Sequence, residues 1–381
     1  MHPLRIAIII FITLLSISIL WNLQPSARPS TKPLAAKPLA AKPLATQSSA
    51  KPLAAKPLIE GFGEPTNPDS ESKGLRAKYD SLQLLIKGGI PEKYLDLPIR
   101  EFIVKSSYNS AISGLFASKD TLKLSLERGC RFIDLEVYSR NDVEYISYSG
   151  DPEYRTMGTE NNSANRLKLT DALNTTAGSA FSSPIPSTND PLFILLRIKD
   201  NSSPIYKRIA KHINTAFSQR LFTGTLNSGT HLRKLQGKVV IFLDVLSAPK
   251  WNEYDKCDNP NECLDAVVHL EAGTTNFPLY AYGDLLSLPP LIVNRNTNNL
   301  KTNINSFMIV EPPQFDAIKP PNPDEAIDKW HPQFLAYKFY QPGDELAKYE
   351  DIFNKYGCAF VPMSVYIADS NMKNASHIQP K

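Results

Sequence analysis

Apolar runs recur along the chain between about residues 100 and 365, and polar stretches with helical spacing separate several of them. We interpret eight runs as strands: Glu101–Tyr108, Arg131–Tyr138, Val143–Tyr148, Leu192–Lys199, Val239–Val245, Phe307–Glu311, Leu335–Tyr340 and Cys358–Val365. We interpret three intervening stretches as helices: Thr121–Glu127, Tyr206–Phe217 and Asp344–Tyr356. Strands that alternate with helices predict an α/β fold, a closed (β/α)8 TIM-type barrel. An open doubly wound sheet is the alternative, although no glycine-rich nucleotide-binding motif supports it.

The N-terminal segment is apolar and differs in composition from the rest of the chain. Ile6–Trp21 contains no charged residue, and the uncharged run continues to Ala27. A spanning helix needs roughly 20 apolar residues, so we predict that residues 1–27 form a single-pass membrane anchor. A cleaved signal peptide is the alternative. The side of the membrane stays open, because basic residues after the segment favour a cytoplasmic barrel and four Asn-x-Ser/Thr sequons favour the lumen.

A short repeat follows the apolar segment. Lys-Pro-Leu begins at five positions: Lys32, Lys37, Lys42, Lys51 and Lys56. Proline at this spacing prevents a continuous helix, and one leucine per repeat cannot form a core. We therefore predict that residues 28–60 are a disordered, semi-extended linker. Globular composition begins near Gly74, which predicts a barrel domain at residues 74–370 and a tail at 371–381.

The charge balance argues against one class of partner. The chain holds 42 basic and 38 acidic residues, a formal net charge of +4. Residues 1–60 contain seven Lys or Arg and one acid, so the remainder has 35 basic and 37 acidic residues, a charge of −2. A nearly neutral domain gives no electrostatic footprint for nucleic acid. The four cysteines are too few for a disulfide scaffold, and Cys257 and Cys263 either bridge locally or remain free thiols.

Alternation along two strands predicts a charged barrel interior. In the second run the aliphatic side chains share one face, and Asp134 and Glu136 share the other. In the fourth run the same argument places Arg197 and Lys199 inward. Other polar side chains near the ends of later strands are assigned to the same rim: Asp244, Glu311, Lys338 and Tyr340. Charges inside a barrel are costly unless paired or liganded, and (β/α)8 active sites lie at this face. We predict a ligand site here, and a salt-bridge plug is the alternative.

Several segments resemble phosphatidylinositol-specific phospholipase C. Residues 128–136 read Arg-Gly-Cys-Arg-Phe-Ile-Asp-Leu-Glu, which is similar to that family's Arg-Gly-Cys-Arg-x-x-Glu-Leu-Asp. Weaker matches follow the family's order at Ser106–Ser110, Tyr148–Asp151, Pro191–Arg197, Leu235–Ile241 and Gly357–Asp369. The resemblance covers most of residues 95–370 and implies the same barrel fold.

The resemblance also implies a reaction that uses two histidines and a calcium ion. Tyr108 and Asp151 stand where the family has those histidines. At neutral pH, tyrosine (pKa about 10) is a poor base and aspartate (about 4) a poor acid. Three of the family's four calcium ligands have counterparts here: Asn109, Asp134 and Glu136. Arg197 replaces the fourth, acidic ligand, so we expect no cofactor and no tight calcium site.

Two functional hypotheses follow. The first is a membrane-anchored, catalytically degenerate barrel that binds a phosphorylated lipid headgroup or acts as a scaffold. The second is an active phosphoric diester hydrolase on phosphoinositide-type lipids, with Arg197 in place of calcium. The missing histidines favour the first, and the retained polar rim supports the second. In both, the rim side chains assigned to the substrate are Lys199, Asp244, Glu311, Lys338 and Tyr340.

Overall fold

The computed structural model describes most of the chain beyond residue 66. The described residues are 67–80, 82–147, 166–200, 202–255, 257, 259–294, 298, 300–305, 307–313 and 319–377. The predicted anchor at 1–27 and the predicted linker at 28–60 lie outside these ranges, and so does Asp151. Within the described ranges, no helix has both the length and the apolar character needed to cross a membrane.

The described residues form eleven strands: β1 Phe102–Ser107, β2 Phe132–Arg140, β3 Val143–Ile146, β4 Leu167–Lys168, β5 Leu192–Ile198, β6 Val239–Asp244, β7 Leu270–Ala272, β8 Leu279–Ala281, β9 Ile309–Glu311, β10 Phe334–Tyr337 and β11 Phe360–Pro362. Eight of them pair in parallel, in the order β7-β6-β5-β2-β1-β10-β9-β8. Because this order follows the chain around a ring, the strands form a nearly closed parallel barrel. The predicted α/β barrel is therefore confirmed.

The same part of the chain forms nine α-helices: α1 Pro68–Asp80, α2 Lys119–Glu127, α3 Leu169–Ser179, α4 Ser203–Phe217, α5 Trp251–Tyr254, α6 Tyr282–Ser287, α7 Pro323–Trp330, α8 Asp344–Tyr356 and α9 Met363–His377. The Ser118 side chain caps α2 by accepting a hydrogen bond from the backbone N–H of Asp120. Helix α8 ends at Gly357, whose φ of 66° lies in the left-handed region that glycine adopts without steric cost.

Side-chain alternation divides the core into two layers. The inner layer fills the barrel and is rich in phenylalanine: Phe102, Phe132, Phe193, Phe242, Phe277, Phe307, Phe334 and Phe360. The Phe334 ring centroid lies 4.8 Å from that of Phe132 and 5.3 Å from that of Phe193. The opposite faces of β2 and β5 belong to an outer cluster that includes helix side chains: Ile133, Leu135, Val137, Ile194, Leu196 and Ile198. The inner faces of β2 and β5 thus change from aromatic to charged toward the strands' C-terminal ends.

Six of the eight predicted strands contribute to the barrel, and the other two are wrong as barrel strands. Val143–Tyr148 contains β3, which pairs antiparallel with β2 and with β4. Cys358–Val365 contains β11, which pairs antiparallel with β1 and is followed by α9 from Met363. The two missing barrel strands are β7 and β8, of three residues each. Three residues are too few for an alternating pattern to stand out in a sequence.

Two further features concern the predicted start of the barrel domain and the two cysteines whose pairing the sequence left open. Helix α1 begins at Pro68, so Gly74 lies inside a helix whose Leu75 and Tyr79 are buried in the outer core. Cys257 and Cys263 form a disulfide with a Cα–Cα distance of 5.5 Å. That pairing removes both thiols from metal binding, because a metal ligand must be a thiolate.

Candidate functional site

The centre of the candidate site is a buried arginine on β5. Strand β5 pairs with β2 in a register that places Arg197 opposite Glu136. The Nε of Arg197 donates to Asp134 Oδ1 at 2.8 Å, and its Nη2 donates to Asp134 Oδ2 at 2.8 Å. Its Nη1 donates to Glu136 Oε2 at 2.9 Å. The arginine is 2% exposed and both carboxylates are fully buried. The predicted inward direction of all three side chains is confirmed.

The segment after β1 completes this network. Asn109 has a φ of 44°, a left-handed conformation that asparagine adopts more readily than most residues. Its side-chain Oδ1 accepts from Arg197 Nη2 at 2.7 Å, and its backbone N–H donates to Asp134 Oδ2 at 2.9 Å. The Tyr108 ring lies 4.6 Å from the Arg197 guanidinium carbon, a cation–π distance. Four of the five N–H donors of Arg197 are thereby used within the protein.

One further polar side chain belongs to the same cluster and was not assigned a role from the sequence. The Tyr138 hydroxyl donates a short hydrogen bond to Glu136 Oε1. Tyr138 is on the same face of β2 as Asp134 and Glu136, so alternation alone could have identified it. With this bond, both oxygens of Glu136 are hydrogen-bonded.

Burial raises the pKa of two groups near Arg197, namely Tyr108 and Glu311. It raises the pKa of the Tyr108 phenol well above its ordinary value, although the positive charge of Arg197 opposes the shift. Burial also raises the pKa of the Glu311 carboxyl well above its usual value, again against the effect of Arg197. Tyr108 is therefore protonated at neutral pH, and the neutral form of Glu311 is favoured.

Three polar atoms near the guanidinium lack a hydrogen-bond partner among the described residues. They are Tyr108 Oη, Asn109 Nδ2 and Glu311 Oε2, all of them buried. Glu311 lies at the end of β9, close enough to Arg197 and Asp134 for their charges to influence its pKa. Buried polar groups are nearly always hydrogen-bonded to protein, water or ligand. The three atoms therefore have unused hydrogen-bonding capacity that water or a ligand with hydroxyl or phosphoryl oxygens would satisfy.

The remaining rim residues lie at or just beyond the ends of three strands, β5, β6 and β10. Lys199 and Lys338 are half-buried, follow β5 and β10, and form no salt bridge with another described residue. Burial lowers the pKa of both amines. Asp244 is buried at the end of β6, where its Oδ1 accepts from the backbone N–H of Leu246 at 2.9 Å. Tyr340 is buried in the outer hydrophobic cluster, so a contact between Tyr340 and substrate stays a prediction.

The donor set does not fit a calcium ion. Calcium takes six to eight oxygen ligands. The oxygens that match the family's ligands belong to Asn109, Asp134 and Glu136, and the Arg197 guanidinium already occupies the space between them. A cation placed there would face a buried positive charge and would have to displace four hydrogen bonds.

The two arginines of the Arg-Gly-Cys-Arg segment have roles in the protein scaffold. Arg128 pairs with Glu350 on α8, its Nε at 2.9 Å from Oε1 and its Nη2 at 2.7 Å from Oε2. Arg131 donates through Nη1 to the Ala180 carbonyl at 2.7 Å and through Nε to Ser187 Oγ at 3.1 Å. Both arginines are buried. This segment therefore identifies the fold rather than the reaction.

Comparison with known proteins gives the same fold. Residues 95–243 match the family model for phosphatidylinositol-specific phospholipase C, X domain. The solved structure of L. pealei PLC21 is similar at 14% identity and a TM-score of 0.50, over 70% of this chain and 37% of that chain. That of S. officinalis PLC21 is similar at 16% identity and a TM-score of 0.50, over 71% and 37%. This chain thus spans less than two fifths of either. No curated protein matches it.

Proposed function

We propose that this protein is a catalytically degenerate barrel that binds a phosphorylated headgroup at its rim. The chain has the phospholipase C-like phosphodiesterase fold, and its residues 95–243 match the X-domain family model. The observation that carries the proposal is the Arg197 network. Its guanidinium is held by Asp134, Glu136 and Asn109, the residues that match the family's calcium ligands. The positive charge at this position is thus built into the chain and balanced by carboxylates.

The acid–base groups support the same conclusion. A general base needs a pKa near the operating pH, because it must be unprotonated and still basic enough to remove a proton. Burial raises the pKa of Tyr108 well above its ordinary value, which moves it away from that range. Asp151, at the position of the second histidine, lies outside the described residues. Its poor fit to a general acid rests on the ordinary pKa of aspartate, about 4.

Binding of an anionic headgroup is supported by the two rim lysines. Lys199 and Lys338 follow strands that lie three positions apart around the barrel, β5 and β10. Their amines form no salt bridge with described residues, and both side chains keep part of their surface exposed. Ammonium groups make charge-assisted hydrogen bonds with phosphate oxygens. The predicted anchor at residues 1–27 makes a lipid headgroup the ligand class that we favour.

A hydrolysis assay and a binding titration together test this proposal. We expect negligible cleavage of phosphatidylinositol with or without calcium, since each missing acid or base is worth about 10²–10⁴ in rate. We expect inositol trisphosphate to bind, and Lys199→Ala and Lys338→Ala each to weaken its affinity by about tenfold, as for loss of one charged hydrogen bond. Lys234→Ala is the matched control, because Lys234 is exposed and precedes β6, at the opposite end of the barrel.

The active alternative predicts a different outcome in the same assays. Robust wild-type turnover that is abolished by Tyr108→Phe or Asp151→Asn would establish a hydrolase with Arg197 in place of calcium. The Tyr108→His, Asp151→His double variant is the second comparison. A gain of activity over an inactive parent would support both the alignment of these positions and the loss of catalysis. No affinity for inositol trisphosphate would contradict the binding part of the proposal.

A further inference from the structure

Helix α1, which precedes the barrel strands, contacts the loop that follows β1. The Glu71 carboxylate accepts hydrogen bonds from two backbone amides of that loop, Leu115 at 2.9 Å through Oε1 and Phe116 at 3.0 Å through Oε2. The hydroxyl of Ser113 also donates a short hydrogen bond to Glu71 Oε2. One carboxylate thus satisfies three donors at the tip of a single loop.

The loop backbone is shaped to receive this carboxylate. Gly114 lies between the bonded residues with a φ of 147°, and a Cβ at this position would come within 2.8 Å of Glu71 Oε1. Any other residue would therefore need both a strained backbone and displacement of the Glu71 side chain. The base of the same loop is closed by the Ser118 amide, which donates to the Ala111 carbonyl at 2.7 Å. Glu71 is the additional support for the tip.

The same helix contacts a second part of the rim. The buried Tyr79 hydroxyl donates to the backbone carbonyl of Phe339 at 2.6 Å. Phe339 follows β10 and is next to Lys338, one of the two rim lysines. The Tyr79 and Phe339 rings are stacked with their centroids 6.5 Å apart. Helix α1 is therefore hydrogen-bonded to the chain after β1, which carries Asn109, and to the chain after β10, which carries Lys338.

We infer that α1 is a positioning element of the ligand rim, with Glu71 and Tyr79 as its positioning residues. This inference rests on the proposed headgroup binding. Neither residue touches the site itself; each fixes backbone on one side of it. A charged acceptor holds amides more strongly than a neutral one does, so the Glu71 carboxylate reduces the number of conformations open to the loop. A site that is already ordered loses less conformational entropy when a ligand binds.

The test uses the full chain and three substitutions in α1. Glu71→Ala removes the acceptor, and Glu71→Gln keeps one carbonyl oxygen. Asp69→Asn is the matched control, because Asp69 is an exposed acid in the first turn of the same helix. Hydrogen exchange of the Leu115 and Phe116 amides reports on the loop. Titration with inositol trisphosphate reports on the site, and circular dichroism checks that each variant is folded.

We expect Glu71→Ala to speed exchange of both amides by about tenfold or more, since a hydrogen bond to a charged acceptor is stronger than one to a neutral acceptor. We expect it to weaken inositol trisphosphate binding about three- to tenfold, with Glu71→Gln intermediate and Asp69→Asn unchanged. Unchanged exchange in both Glu71 variants, or faster exchange with unchanged affinity, would overturn the inference. If the wild type binds no inositol trisphosphate, the proposed function fails, and the exchange result alone decides whether α1 holds the loop.

Discussion

At the residue scale, Arg197 places a buried positive charge among the acidic side chains of the rim. Its guanidinium makes four hydrogen bonds to Asp134, Glu136 and Asn109, and it is almost completely buried. Removing one partner from such a network is costly, about 3–5 kcal/mol, because the remaining charges stay buried without compensation. Any substitution of Arg197 therefore has to be judged on stability as well as on ligand binding.

Calcium binding provides a test at this position. We expect wild-type protein to show no micromolar calcium affinity by isothermal titration, because the guanidinium holds the oxygens that calcium would need. Arg197→Glu removes the cation and adds a carboxylate, so we expect calcium to bind this variant and to raise its Tm. Arg197→Met is the control, since it removes the charge without adding an oxygen. Micromolar calcium affinity in the wild type would contradict the proposed role of Arg197.

His331 provides a second residue-scale prediction, on pH. Burial lowers the pKa of His331 from 6.5 to about 4. The unfolded chain therefore binds a proton at higher pH than the folded one, and stability falls as the pH drops from about 6.5 to about 4, by up to about 3 kcal/mol. His331→Asn is a suitable substitution, because asparagine tolerates the φ of 52° at this position. We expect the variant to lose less stability than the wild type between pH 7 and pH 4.5, as measured by urea unfolding at both pH values. An equal loss in the variant would argue against His331.

At the scale of secondary structure, alternation also buries charge on the outer side of the barrel. The residues of β1 that point away from the Phe-rich interior include Lys105, which is fully buried. Its Nζ lies 2.9 Å from Glu350 Oε1 on α8, and Arg128 binds the same carboxylate from the end of α2. Burial would raise the pKa of Glu350, but Lys105 and Arg128 outweigh it, and the pKa is lowered. The carboxylate therefore joins three elements through two buried cations.

We expect Glu350→Ala to destabilise the protein by about 3–5 kcal/mol at pH 7, because it leaves two buried cations without a counter-charge. Because folding lowers its pKa, Glu350 contributes its full stabilisation at pH values above its pKa in the unfolded chain, which is about 4.5. This stabilisation is lost as the pH falls through the pKa of Glu350 in the folded protein. The difference in the free energy of unfolding between wild type and variant, measured with urea, should therefore decrease toward pH 3. Asp351→Ala, an exposed neighbour on α8, is the control. A gap that does not depend on pH would contradict the ion-pair explanation.

At the scale of the whole molecule, residues 61–381 form one compact unit. We predict that a chain starting at residue 61 unfolds at the same urea concentration as the full chain, because the linker repeat lacks the apolar residues for a core. A chain starting at Gly74 should be less stable by about 1–3 kcal/mol, since it loses Glu71 and its charged hydrogen bonds to the rim loop. Aggregation of the longer chain, or equal stability of the two, would argue against these boundaries.

The sequence by itself determined the parts of this protein that depend on covalent geometry. Successive side chains point to opposite faces of a strand, so a regular alternation identified Asp134, Glu136 and Arg197 as inward residues before any strand was placed beside another. Local apolar runs likewise predicted six of the barrel strands, and a helical pattern predicted α8 with the bounds that it has, Asp344–Tyr356. These features repeat over enough residues for the pattern to be read without knowing the neighbours.

Only the tertiary structure decided which segments close the barrel and which groups meet. Strands β7 and β8 have three residues each, and pairing with β6 and β9 makes them strands. The register between β2 and β5 sets Arg197 opposite Glu136, which turned a rim of predicted charges into a closed ion-pair network. The partnership of Glu71 with the loop at Gly114 spans more than forty residues of chain. Contacts between distant segments depend on the packing of the whole fold, so local patterns could not specify them.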